Sequence, residues 1–190
     1  IYSGEDQALS LEALAQECYY SLTNSSVITA EVSRQVKKNT IATGCCFAEV
    51  EVDMKLGQIK VLHIINVHDS GKLLNPQLAE MQVHGGMSMG MGYGLSEQLI
   101  LDEKTGRLLN GNLLDYKLMT ALDTPDIKAG FVELDDPMGP YGNKALGEPP
   151  AIPSAPAIRN AVLHATGVAF NENPLTPQRL IDGFQKAGLI

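Results

Sequence analysis

Cysteine is scarce in this 190-residue chain: three residues, two of them adjacent at Cys45 and Cys46. That count rules out a regular disulfide framework. No Cys-x-x-Cys or denser spacing exists to hold an iron–sulfur cluster. A reducing cytoplasm is the compartment such usage points to. Basic residues are also in deficit, 14 Lys+Arg against 22 Asp+Glu, for a net charge of -8. Nucleic acids and anionic membrane surfaces require clustered Lys and Arg, so neither is an expected partner. No apolar run approaches the ~20 residues of a membrane helix. The basic-then-apolar opening of an export signal is missing too. The chain starts Ile1-Tyr2-Ser3-Gly4 without methionine, as one processed, trimmed or cut from something longer would.

What remains is an ordinary globular composition, 44% apolar and 19% charged, which excludes a wholly disordered chain. Ser10 can cap a helix whose Leu11, Leu14, Ala15, Cys18 and Tyr19 recur at helical spacing, ended by Asn24-Ser25-Ser26. Residues 27–32 have strand character, and 34–39 read as a polar loop. In 46–53, Cys46, Ala48, Val50 and Val52 alternate with Glu49, Glu51 and Asp53, the mark of a half-buried strand. A turn at 53–57 leads into an apolar return strand, 59–67, expected to be buried on both faces. Asn75-Pro76 opens a helix expected to reach about Gln98, and 102–106 is a hairpin turn. A strand is expected over 127–134. Two helices close the chain, one from Ser154 to a stop at Gly167 and one from Thr176-Pro177 with Leu180, Ile181 and Phe184 inward. There is no internal repeat, no low-complexity tract and no linker long enough to mark a domain boundary. The expected fold is α+β, an antiparallel or mixed sheet with packed helices, in a single domain over residues 1–190.

Two segments carry the chemistry. In the first, Gln82-Val83-His84-Gly85-Gly86 leads a helix in which Gly86, Gly90 and Gly94 form a bare stripe. Each internal glycine costs about 1 kcal/mol relative to alanine. The stripe admits either another backbone or a flat, rigid ligand, and both readings stay open. Gln82 is placed near the helix start, where free N–H groups favour an anionic group. The second segment is Lys144-Ala145-Leu146-Gly147-Glu148-Pro149-Pro150. Proline after Glu148 pushes that residue out of the helical region, and Gly147 removes bulk beside it. A carboxylate on stiff backbone among apolar and small residues suits a general acid or base, though a surface-loop glutamate is the plainer alternative.

The four histidines show neither HExxH nor His-x-His spacing, so no protein-ligated metal is expected. Cys45 and Cys46 read as small core residues rather than nucleophiles, and Ser88 lacks the Gly-x-Ser-x-Gly frame of a hydrolase.

Taken together, these motifs resemble the C-terminal part of the molybdenum-cofactor subunit of the molybdenum hydroxylases, the family of xanthine dehydrogenase and aldehyde oxidase. The resemblance runs from about Leu9 to Ile190. It is carried by residues 47–53, Asn75-Pro76, 82–86, Tyr116-Lys117 with Asp123-Thr124-Pro125, and above all 144–150. Residues 174–179 and the ending Ala187-Gly188-Leu189-Ile190 look most like bacterial xanthine dehydrogenases. The resemblance implies that Glu148 is the catalytic base, taking a proton as oxygen reaches an electrophilic carbon. It implies that Gln82 lies beside the molybdenum–molybdopterin group, with Gly85, Gly86 and Gly147 giving it room.

Iron–sulfur (2Fe-2S) clusters and FAD are then expected on other domains or subunits, and a purine-like molecule as substrate. An aldehyde or another N-heterocycle such as nicotinate is the alternative. The family's other pterin loops, a further glutamine, a substrate-orienting arginine and aromatic clamps have no counterpart here. The chain is therefore expected to need the remaining molybdenum-subunit polypeptide and to be inactive alone. In isolation it would be a non-catalytic folding or interaction domain, with homo-oligomers among its expected states.

Overall fold

In the computed structural model, residues 9–22, 28–33, 35 and 37–190 are described. They fall into two compact units, 1–36 and 37–190. In the first, helix α1 (Leu11–Tyr20) forms as its spacing predicts, the Ser10 hydroxyl accepting from Ala13 N–H at 3.1 Å. None of its residues is buried. The expected strand at 27–32 does not form: residues 28–32 are irregular, and Val27 lies outside the described residues, as do Asn24, Ser25, Ser26 and Arg34. Strand-favouring side chains need a ladder partner, and these have none.

The second unit is built on a three-stranded sheet in the order β1 (Thr43–Asp53), β2 (Gln58–Asp69), β3 (Asp126–Phe131). β1 and β2 form the expected antiparallel hairpin, turned by Asp53, whose carboxylate accepts from Lys55 and Leu56 N–H. β3 ends at Phe131 rather than 134 and runs parallel to β2, so the sheet is mixed. Such a parallel pair needs a crossover, supplied by α2 (Pro76–Leu95) and the segment after it.

β2 departs from the reading of a strand buried on both faces. Val50 pairs with Val61 but Glu49 pairs with His63, leaving Leu62 as an extra residue. This bulge reverses the alternation. Ile59 and Val61 face inward before it; Ile64, Asn66 and His68 are buried after it. Ile65 and His63 face out. The continuous apolar run is thus two half-strands of opposite phase, each with one buried face.

α2 is capped by Asn75, whose side chain accepts from Leu78 N–H, with Pro76 at its first position. It ends at Leu95, three residues short of expectation, where Ser96 N–H closes on Gly92 O. The hairpin turn at 102–106 is present, Asp102 accepting from Lys104 and Thr105. α3 (Ser154–Thr166) stops at left-handed Gly167, and α4 (Pro177–Lys186) is capped by Thr176.

One core cluster joins Val61 and Ile64 to Val83, Met87, Met91 and Ile158, placing α2 and α3 on the inner face of the sheet. A second joins Val162, Leu175, Leu180 and Phe184. Phe170 meets Phe184 edge-on, ring centroids 5.6 Å apart. Among the described residues no helix is long and apolar enough to cross a membrane.

Candidate active site

The two glycine-bearing segments, distant in sequence, come together. The Gln82 side chain donates from Nε2 to the Gly147 carbonyl at 3.1 Å. Gln82 sits in the second turn of α2, past the free N–H groups of the first, so its contribution is its amide side chain rather than the helix terminus. Gly85 lies on the same exposed side of the helix. A side chain there would meet no protein atom within 4 Å, and the same holds at Gly147.

The bare stripe serves packing. A Cβ on Gly86 would stand 2.5 Å from Cβ of Pro150, one on Gly90 2.5 Å from the Ala151 carbonyl, and one on Gly94 3.1 Å from Cβ of Ala155. The stripe lets residues 150–155 lie against the α2 backbone. Gly86 is therefore turned into the protein, whereas Gly85 is turned out of it.

Between the two sits the loop 144–150. Lys144 N–H donates to Ser70 O at 2.7 Å, and its ammonium pairs with Asp69 at 2.6 Å, the two side chains 10% and 11% exposed. Lys144 and the Gly71 N–H hold the Asp69 carboxyl below its ordinary pKa. At the far end Asn66 Nδ2 donates to Pro150 O at 3.0 Å, and the Ser154 hydroxyl lies 3.5 Å from the same oxygen. Glu148 accepts from Ala151 N–H through its main-chain oxygen. Its side chain is exposed. The apolar enclosure expected from the sequence is thus not built by the described residues of this chain: Pro149 and Pro150 turn towards the core, and Gly147 and Ala145 face out with the carboxylate.

Beneath the loop, β2 and the residue after it present buried polar side chains. Among the described residues, Asn66 Oδ1, both ring nitrogens of His68 and the Ser70 hydroxyl have no hydrogen-bond partner. Burial lowers the His68 pKa. Cys46, opposite Asn66 in the ladder, has its thiol pushed up to about 11, chiefly by burial and against a hydrogen bond with Ser154. That fits a packed core cysteine. His63 Nδ1 lies 3.4 Å from Asp126 at the surface, His84 Nε2 stands 3.9 Å from Glu80 with no hydrogen-bond partner among the described residues, and no cluster able to hold a metal ion occurs among them. Asp69 and Asn66 were not legible as parts of this site, and Lys144, at the head of the second motif, was not legible as half of a buried pair. Tyr116, one of the residues that carry the resemblance, donates from its hydroxyl to Glu97 at 2.7 Å, tying the 110–125 segment to the end of α2.

A family model described as "Molybdopterin cofactor-binding domain" matches residues 1–125. The chain is 50% identical over 186 residues to a xanthine dehydrogenase molybdenum-binding subunit of Escherichia coli O157:H7, a match covering 98% of this chain and 25% of that one. It is 33% identical over 158 residues to an aldehyde oxidoreductase molybdenum-binding subunit of Escherichia coli K12, covering 83% and 21%. Among solved structures, quinoline 2-oxidoreductase from Pseudomonas putida 86 superposes with a TM-score of 0.67 at 34% identity, over 72% of this chain and 18% of that one. The chain spans a quarter or less of the length of the curated relatives it matches.

Proposed function

Since this chain belongs to the molybdopterin cofactor-binding domain family, we propose that it forms one wall of the molybdenum site of a hydroxylase acting on a purine such as hypoxanthine or xanthine, with Glu148 as general base. The observation that carries this reading is the Gln82–Gly147 hydrogen bond. It joins the two motifs beside Glu148 and leaves Gly85 and Gly147 with no protein atom over their bare faces. Those residues fit a flat organic group approaching the backbone. When bound, the molybdenum–molybdopterin group supplies the redox centre for a two-electron hydroxylation, chemistry that belongs to the cofactor.

The chain supplies position and proton handling. Gln82 spends Nε2 on Gly147 and keeps Oε1 for the group. Gly85 and Gly147 give it room. Glu148 takes up a proton on its carboxylate as the substrate is oxidised, and releases it before the next turnover. The exposed side of α2 also carries Leu78, Met81, Met89 and Tyr93. Large apolar side chains left open along one helix face suit cover by further polypeptide, here the rest of the molybdenum subunit. Iron–sulfur and FAD domains or subunits would carry the electrons away.

Purine specificity is supported by 50% identity to a xanthine dehydrogenase subunit against 33% to an aldehyde oxidoreductase subunit. The test is Glu148→Gln in the full-length parent enzyme, assayed with hypoxanthine, xanthine and aromatic aldehydes. Loss of a positioned base should lower kcat by about 10²–10⁴-fold while molybdenum content is kept. Turnover close to the parent's would overturn the assignment, and a preference for aldehydes would replace the purine.

A further inference from the structure

The loop that carries Glu148 is fastened at both ends to one strand. At its entry, Lys144 N–H bonds Ser70 O and the Lys144 ammonium bonds Asp69; at its exit, the Pro150 carbonyl takes the Asn66 amide. Residues 66 and 70 lie about 13 Å apart along a strand. The six peptide steps from 144 to 150 could span about 20 Å when extended. The surplus length makes the loop bow away from β2. Gln82 holds the bow near its crest through Gly147, next to Glu148.

Of these fastenings the Lys144–Asp69 pair is the one built from charge. It is nine-tenths buried, and Asp69 is further held by the Gly71 N–H. Gly71, at φ +68°, lies against Gly142 and Asn143, where a side chain would collide with the main chain. Lys72 N–H donates to Gly142 O alongside. The Lys144 side chain thus grips the end of β2 at the point where the two segments zip together.

We infer that Lys144 and Asp69 are positioning residues for Glu148: their ion pair sets where the loop leaves β2 and hence where the carboxylate stands. This rests on the reading of Glu148 as the base. An ion pair with both partners this enclosed, deprived of one of them, leaves an uncompensated charge and loses its geometry. The effect reaches Glu148 through four residues of loop. A displacement of about 1 Å in a catalytic group can cost about a hundredfold in rate.

The experiment uses the full-length parent enzyme with Lys144→Met, Lys144→Arg and Asp69→Asn, beside Glu148→Gln. Hydrogen exchange is read at the Lys144 and Ala151 amides, with and without cofactor, together with kcat, KM and molybdenum content. The expected result for Lys144→Met and Asp69→Asn is faster exchange at both amides, by at least about tenfold. kcat should fall about a hundredfold, with KM and molybdenum near the parent's. Lys144→Arg should recover most of both. Unchanged exchange at 144 and 151 in the Met and Asn variants overturns the inference, as does loss of kcat, KM and molybdenum together with no recovery in the Arg variant. Should Lys144→Met not fold, Asp69→Asn, which keeps volume and an acceptor, decides alone. Parental turnover in Glu148→Gln would remove the base assignment, while the exchange data would still decide the fastening.

Discussion

Asn66 and Pro150 stand 84 positions apart and are joined by a buried 3.0 Å hydrogen bond from the asparagine amide to the proline carbonyl. The ring of the same proline fills the space that Gly86 leaves on α2. Pro150 is thereby held between strand and helix, and the segment that begins there leads into α3. The loop that carries Glu148 is thus referred to two rigid elements at once.

Replacing the amide donor exposes how much this matters. Asn66→Ala leaves the Pro150 carbonyl buried with only the distant Ser154 hydroxyl as a donor. A loss of about 1–3 kcal/mol in unfolding free energy is expected, read from urea denaturation. A change within error of zero would mean that water restores the bond.

Adjacent glycines on α2 should respond with opposite sign. Gly86→Ala drives a Cβ into Pro150 and is expected to destabilise by roughly 1–3 kcal/mol. Gly85→Ala meets nothing and gains about 1 kcal/mol in helix propensity. In the full-length parent, however, Gly85→Ala should reduce molybdenum content, because it fills the opening proposed for the cofactor. Denaturation midpoints and metal analysis separate the two effects.

Acidification should weaken the fold in two stages. Burial holds the folded His68 pKa below the ordinary 6.5, so the unfolded chain takes up that proton first. The stability this gives is complete above the unfolded pKa and declines as pH falls below about 6.5, by at most about 1.4 kcal/mol per pH unit. The Asp69 contribution, its folded pKa lowered by Lys144, is present above the unfolded value of about 3.9 and is lost as pH falls towards the folded one. His68→Gln should flatten the first decline and keep the second. Urea midpoints at pH 7.5, 5.5, 4.5 and 3.0 test this, and an unaltered slope between pH 7.5 and 4.5 in the variant would refute it.

The neighbouring thiols should differ in reactivity. Cys45 is exposed, whereas the Cys46 thiol sits at about 11. At pH 8 about one Cys46 in a thousand is a thiolate. Brief iodoacetamide treatment followed by peptide mass mapping should modify Cys45 and spare Cys46.

The α+β class, the β1–β2 hairpin and the caps at Ser10, Asn75 and Thr176 were legible because each rests on local spacing and a local hydrogen bond. The parallel pairing of β3 was not, since no local signal states which strand a distant segment joins. The apolar run in β2 misled because a bulge at Leu62 adds one residue without altering composition. Gly86, Gly90 and Gly94 were rightly seen as a stripe, yet only the structure tells the packed side from the open one at Gly85. Gln82 and Gly147 could be marked individually from their motifs, while their contact needed the fold. Lys144 and Asp69 looked like ordinary charges, 75 positions apart, and nothing in either neighbourhood announced a buried pair.

The extra residue in β2 bears on how such a chain can change over time. Upstream of Leu62, Ile59 and Val61 pack into the core; downstream, Ile64 joins the same cluster as Val61, and Asn66 holds the loop. Deleting that one leucine would leave the ladder regular, with Val61 still opposite Val50 and His63 still opposite Glu49. Ile64, Asn66 and His68 would keep their inward faces, because the residue removed is the one that pairs with nothing on β1. A deletion elsewhere in the strand has no such spare residue to draw on and would turn the positions beyond it to the opposite face. The bulge is therefore the one point in β2 where the strand can lose a residue and leave the face beneath the loop as it is.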